Sequence, residues 1–374
     1  MAERPVPVGR ASELRVVKPD GKRYSYLDLA WAWLCGDRLA ARLVDPSRGV
    51  DWAFEGILHA SPFSASAVFR SAVDRNRLDL ATAAAPVRTL PQDQASIADG
   101  APWRLLRGRW RARNWGLELL ESPPLQAGRA RTTPILQAPG ILRADPFALE
   151  VDGCEWLLFE EMLPGDRGRL RAAVRTDSGW EVAPGEILPQ ACHLSWPNVF
   201  RHEGRTFLVP ETGEAGEVQL WELERFPDRW VRRGTLLSGR PWHDAVLLHR
   251  GEVWWLFVSS GGAHEQDHSS RLDIFWSDRM EGPYRPHEEN PISTSVVGAR
   301  PAGAFFEHEG MLIRPGQDCR GGYGSAILLH EVLELSPSRY RERILSRIDA
   351  PSGAAGIHTI NPLPSGGWVV DVSR

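Results

Sequence analysis

The sequence predicts an all-β chain, a five-bladed β-propeller preceded by a small N-terminal α or α/β region. Three observations carry this. Sixteen Trp and 12 Phe stand against five Tyr, mostly in short apolar runs bounded by Gly, Asp and Pro, which is the pattern of many short strands. One shape recurs five times: an apolar run, a polar turn ending in Gly, and a second apolar run. The turn glycines Gly153, Gly204, Gly251, Gly310 and Gly366 are 51, 47, 59 and 56 residues apart, a period that accommodates the four strands of a propeller blade. A β-sandwich is the main competing fold.

Taken in order, residues 1–102 form a region of their own. "SYLDLAWAWLCGDRLAARLV" and "SPFSASAVFRSAVDRNRLDLATAAA" have helical spacing, and "APVRTLPQDQASIADGAP" reads as a linker. No nucleotide-binding glycine loop or catalytic motif marks this region. The propeller then occupies residues 103–374. "WRLLRGRWRARNWGLELLE", from Trp103, is strand-like; closing the ring and forming an edge strand are equally open roles for it. The five hairpins follow: "DPFALEVDGCEWLLFEE" from Asp145, "WPNVFRHEGRTFLVPET" from Trp196, "DAVLLHRGEVWWLFVSS" from Asp244, "RPAGAFFEHEGMLIRPGQ" from Arg300 and "HTINPLPSGGWVVDVSR" from His358. Between them, "GRLRAAVRTDSGWEVAPGEIL", "EVQLWELERFPDRWVRRGTLL" and "RLDIFWSDRMEGPYRP" supply outer strands.

Composition narrows the function. A net charge of −4 over 374 residues lacks the basic footprint that a phosphate backbone demands, so nucleic acid is not an expected partner. Only Lys18 and Lys22 are lysines among 44 basic residues; the arginines are scattered, which suits genomic base composition. The N-terminus carries charges inside its apolar part, and neither a signal peptide nor a membrane span is expected. Cys35, Cys154, Cys192 and Cys319 are far apart. They read as buried thiols in a reducing compartment, so the expected location is the cytoplasm.

In a propeller the start of each inner strand and the end of the second strand meet at one rim. That rule gathers Asp145, Glu160 and Glu161; His193, Ser195 and Glu211; Asp244 and Ser259; Arg300, Arg314 and Gln317; and His358 with Asp371 around one funnel. Carboxylates, histidines and arginines converging there are costly to bury without a use. Acids beside tryptophans suit a sugar, and two carboxylates across a funnel are what glycosidic hydrolysis requires. The plainer alternative is a set of acids that cap turns and tether blades.

These blocks, with "FPDRWVRRGTLL", "ARPAGAFFEHEGMLIRPGQDCRGGYG" and "GIHTINPLPSGGWVVDVSR", resemble the family named for the N-terminal domain of plant glucosamine inositolphosphorylceramide transferase. That domain is similar to the five-bladed propellers of glycoside hydrolase family 43. The resemblance covers about residues 105–374. The family name comes from a separate glycosyltransferase domain, which is not recognisable in this chain. Residues 1–102 bear some likeness to a degraded formyltransferase-like region found with bacterial members, without its catalytic set.

The family 43 pattern implies a blade-one Asp as general base, a blade-three Asp that tunes the acid, and a blade-four Glu as the acid. Asp145 and Asp244 fall on the first two positions. Glu281 in "MEGPY" superficially matches the third but lies in the outer part of blade three and reads as a turn residue. Glu211 is the best candidate acid, with Glu160 and Glu161 behind it. Arg300 and Arg314 suit an anionic group on the substrate. Relatives can place an ion in the channel beside the position of His358; a lone histidine is more often hydrogen-bonded, and no metal or other cofactor is required.

The expected function is a carbohydrate-active propeller that hydrolyses or transfers a glycosyl unit bearing an acidic group. Asp145, Glu211 and Asp244 would act as the catalytic set, and Glu160, Glu161, His193, Ser195, Trp196, Arg300, Arg314, Gln317 and His358 would bind. The rival is a non-catalytic glycan-binding or accessory module for a partner glycosyltransferase. Both readings expect a small sugar or glycoconjugate as ligand.

Overall fold

Each repeat turns where its sequence says it should. Asp152 and Gly153, Glu203 and Gly204, and Glu309 and Gly310 all have φ between 49° and 79°. Two successive left-handed residues make the tight hairpin turn whose twist matches that of its strands, and glycine in the second place takes that conformation without a Cβ penalty. In the computed structural model, which describes residues 15–17, 38–45, 50–57, 115–126, 128–260 and 269–374, these hairpins are the inner halves of five antiparallel sheets.

Blade one comprises Leu142–Val151, Cys154–Met162, Arg169–Thr176 and Gly179–Val182. Blade two comprises Ser195–His202, Arg205–Thr212, Glu217–Arg225 and Arg229–Ser238. Blade three comprises Trp242–Arg250, Val253–Ser260, Leu272–Ser277 and Arg285–Pro286. In blade four, Val297–Pro301, Met311–Asp318, Ala326–Ser336 and Arg339–Asp349 are joined by a short extra strand, Phe306–His308, on the second strand. The fold is a five-bladed β-propeller.

Blade five answers the question left open by the strand-like segment before the first repeat. Gly356–Pro362 and Trp368–Ser373 pair as the inner hairpin, and Trp368–Ser373 then pairs antiparallel with Trp115–Leu120, which pairs with Thr132–Leu136. The ring is therefore closed within one sheet, by strands from both ends of the propeller. Arg374 fastens the seam, its Nε and Nη2 donating to the two oxygens of the fully buried Glu118 at 2.8 and 2.9 Å. Between blades the faces pack with large side chains: Phe147 of blade one meets Trp196 of blade two edge-on at 5.2 Å.

The chain divides into two compact units, 1–110 and 111–374. In the first, Arg38–Asp45 pairs with Arg15–Val17 and with Val50–Ile57. The strand Arg38–Asp45 takes in the last seven residues, 38–44, of the stretch whose spacing suggests a helix. The second Ala-rich helix candidate, 61–85, lies outside the described residues.

Candidate functional site

The inner strands do not run straight to the rim. In every blade the pairing of the first two strands slips near the rim end, as between Ala144 and Phe147, Ser195 and Asn198, or His243 and Val246. At these bulges Asp145, Trp196 and Asp244 take φ of 53°, 48° and 50°, which costs a residue with a side chain on the order of 1–3 kcal/mol. The strain turns each backbone N–H away from its own sheet and toward the preceding blade. Asp145 N donates to Asp371 Oδ2 of blade five at 2.9 Å, Trp196 N to Asp145 Oδ2 of blade one at 3.2 Å, and Asp244 N to Glu211 Oε2 of blade two at 3.1 Å. Blade four continues the series with a side chain, as Arg300 Nε and Nη2 donate to Asp244 at 2.6 and 3.1 Å.

Four acids thus each hold the blade that follows them. Asp371 is completed by His358 Nδ1 at 2.7 Å and by the N–H groups of His358 and Thr359 at 3.1 and 2.9 Å. Asp145 also accepts from Thr359 Oγ1 at 2.9 Å, with His358 Nε2 at 3.5 Å. Burial pushes the Asp145 carboxyl up, and Asp371 adds to that push against the pull of His358. Burial works against a charged His358, yet Asp371 and Asp145 outweigh it and raise the ring above its ordinary value.

Glu211 is held ionised. Burial alone would raise it, but His243 Nδ1 at 3.0 Å, Arg300 Nη2 at 3.8 Å and the Asp244 N–H hold it far below the usual carboxylate range. Gln317 Nε2 adds a third donor to Asp244 at 3.2 Å. Burial and the charges of Glu211 and Asp145 push Asp244 up while Arg300 pulls it down; its oxygens are already occupied by these donors.

Glu160 stands apart. Only 8% exposed, it meets His193 Nε2 at 3.3 Å. Burial first, then Asp145, Glu211, Asp371 and Asp244, push it well above its ordinary value. Gly168 makes room for it: a Cβ there would lie 2.3 Å from Glu160 Oε1 and 2.6 Å from His193 Cε1.

The structure therefore brings together Asp145, Glu160, His193, Glu211, Asp244, Arg300, Gln317, His358 and Asp371. Other residues expected at the rim go elsewhere. Successive residues of a strand face opposite sides, so Glu161 turns from Glu160 to Arg143 and Arg171, each at 2.9 Å. Arg314 is 2% exposed and donates to both oxygens of Glu342 at 2.7 Å and to Gly298 O at 2.8 Å. Trp196 is fully buried, its indole N–H on Ala245 O at 3.0 Å, so its ring is core rather than a stacking platform. Ser195 and Ser259 are buried at the strand ends. Glu281 lies in an exposed turn of blade three.

Three contributors were not expected: His243, Thr359 and Tyr323. The first two sit next to chosen residues, and a bulge lets consecutive residues reach one rim; that broken alternation is the signal for them. Tyr323 comes from the loop after the second strand of blade four, its ring 5.1 Å from the Arg300 guanidinium and 5.2 Å from His358.

Asp145, His358 and Asp371, all buried, place ligand atoms within 4.8 Å of one another. Asp371 already accepts from the N–H groups of Asp145, His358 and Thr359 and lies 2.7 Å from His358 Nδ1, so the ligand atoms the group can offer most readily are His358 Nε2 and Asp145 Oδ1, 3.5 Å apart. A separate groove of about 550 Å³, lined by Leu248, His249, Arg250, Phe305, Phe306 and Leu312 among others, lies at the opposite end of the Trp242–Arg250 strand. Among the described residues no helix is long and apolar enough to cross a membrane.

Residues 132–354, more than half of the chain, match the family model described as glucosamine inositolphosphorylceramide transferase 1, N-terminal. Glucosamine inositolphosphorylceramide transferase 1 of Oryza sativa subsp. japonica is 34% identical over 250 residues, covering 62% of this chain and 33% of the relative. The Arabidopsis thaliana protein of the same name is 34% identical over 209 residues, 54% of this chain and 27% of its own. The chain spans about a third of the length of these curated relatives. Among solved structures, the GH43_1 enzyme of Xanthomonas citri complexed with xylose aligns over 68% of this chain and 90% of its own, at 14% identity and a TM-score of 0.45. That likeness assigns no residue a role.

Proposed function

The chain belongs to the family of the N-terminal domain of glucosamine inositolphosphorylceramide transferase 1, and from that premise we propose that its propeller takes a sugar or glycoconjugate into the rim funnel and hydrolyses or transfers a glycosyl unit there. The observation that carries this is the convergence of Asp145, Glu160, Glu211, Asp244 and Asp371 from blades one, two, three and five on one site. A neutral polyol can exchange hydrogen bonds with such acids without adding to their repulsion.

Asp145 takes the role of base or nucleophile, and Asp244 with Arg300 shapes the field around it. Glu211, held ionised by three donors, serves as an acceptor for substrate hydroxyls rather than as the proton source. The acidic group expected on the sugar gains no support, because Arg314 is bound to Glu342 and Arg300 to Asp244.

A second reading has its own observation. Four of the acids tether neighbouring blades, as a rigid binding module also requires. In that reading the propeller, proposed to act in the cytoplasm, presents glycan to a partner glycosyltransferase. Calorimetry and a glycoside library separate the two. The enzyme reading expects turnover that Asp145→Asn abolishes while sugar binding persists. Binding without turnover by the wild type selects the accessory module, and a wild type that binds no sugar removes both.

A further inference from the structure

Three observations single out one acid in the funnel. First, Asp371, Asp145 and Glu211 each accept a backbone N–H of the next blade and Asp244 accepts its Arg300 guanidinium, whereas Glu160 meets only the His193 ring, on the segment leading into blade two. Second, its companion is a ring held by the backbone. His193 Nδ1 accepts from Gly168 N–H at 3.0 Å, which leaves Nε2 as the nitrogen facing Glu160 Oε1, at 3.3 Å. Third, Glu160 is buried beside four other carboxylates that cannot all share the site as anions.

We propose that Glu160, seated on Gly168 and steered by His193, carries the proton of the funnel and delivers it to the leaving oxygen of a bound glycoside. This rests on the glycosidase reading above. As the bond from the anomeric carbon to that oxygen breaks, the Glu160 hydroxyl hydrogen passes to the oxygen, which departs as an alcohol. The attacking water or acceptor hydroxyl adds to the anomeric carbon and gives its proton to Asp145. Asp145 then releases that proton to solvent, and Glu160, left a carboxylate, regains one from solvent past the half-exposed His193. The environment agrees, since burial and the neighbouring acids hold Glu160 well above the ordinary carboxylate range.

The test has two arms, both on the full chain. Infrared spectroscopy of the resting protein at neutral pH reads the carbonyl band of a protonated carboxyl. That band is expected in the wild type and in Glu211→Gln, and lost in Glu160→Gln; its persistence in Glu160→Gln overturns the proposal without touching the glycosidase reading. On a glycoside that the wild type cleaves, Glu160→Gln is expected to lower kcat at least ~100-fold, the usual range for a general acid. The loss is expected to shrink with an aryl leaving group that departs without protonation, and Glu160→Asp to recover part of the rate. An equal loss on both substrates overturns the donor role. A wild type that cleaves nothing overturns the transfer step together with the glycosidase reading, and the infrared arm then still decides where the proton sits.

Discussion

Blades one and two place a glutamate in the same slot. Glu160 pairs across the sheet with Ala144, just before the bulge at Asp145, and Glu211 pairs with Ser195, just before the bulge at Trp196. Position, residue type and depth are shared, yet the environments drive the two in opposite directions. The difference lies in the following blade. The turned N–H of Asp244, with His243, comes to Glu211, whereas the turned N–H of Trp196 bypasses Glu160 and goes to Asp145. A repeat architecture fixes where acids stand; the donors of the neighbouring blade decide what each acid does.

The largest test of that contrast is removal of Glu211. Glu211→Ala takes one partner from a buried group of charges and leaves the Asp244 N–H without its acceptor and Arg300 with less counter-charge. Breaking a buried ionic set in this way costs roughly 3–5 kcal/mol, read as a lower urea midpoint with an unchanged m-value. A loss below about 1 kcal/mol would show that Glu211 does not hold blade three.

Blade one answers to sterics rather than to lost charge. Gly168→Ala puts a methyl group 2.3 Å from Glu160 Oε1, 2.6 Å from His193 Cε1 and 2.7 Å from Leu194 O. The backbone oxygen cannot yield as a side chain can, so overpacking is expected to cost about 1–3 kcal/mol. The same variant is expected to reduce turnover by displacing Glu160, while Gly234→Ala in blade two, where an added Cβ meets nothing within 4 Å and φ is not left-handed, leaves the funnel intact.

Much of this frame was legible in the sequence, and its limits are physical. The turn glycines located all five inner hairpins because type-specific turns and apolar runs are local signals. The first residue of each repeat also located Asp145 and Asp244. Which donor meets which acid was not local: Asp145 and Asp371 are joined across 226 positions of chain, and only ring closure makes them neighbours. Glu160 and Glu161 were inseparable until strand alternation assigned one to the funnel and the other to Arg143 and Arg171. Arg314 stood on the right strand but faces Glu342, a partner on the outermost strand of its blade that no spacing rule supplies.

The finest distinction between the two glutamates is the sign of their pH dependence. Glu211 has a folded value below its unfolded one, so it releases its proton more readily when folded. Its contribution to stability is present above the unfolded value and is lost as pH falls into the acid range. Glu160 has a folded value well above its unfolded one, so between the two values the native state binds more protons, and stability falls as pH rises through that window. Glutamine keeps the shape of either side chain and removes its titration. Stability followed by urea midpoint from acid to neutral pH should therefore diverge in opposite directions: Glu211→Gln loses ground to the wild type as pH rises toward the unfolded glutamate value and keeps that deficit above it, whereas Glu160→Gln gains on the wild type as pH rises above the unfolded value. Parallel curves for the two variants would mean that the same slot imposes the same charge state after all, and that the neighbouring blade does not choose between them.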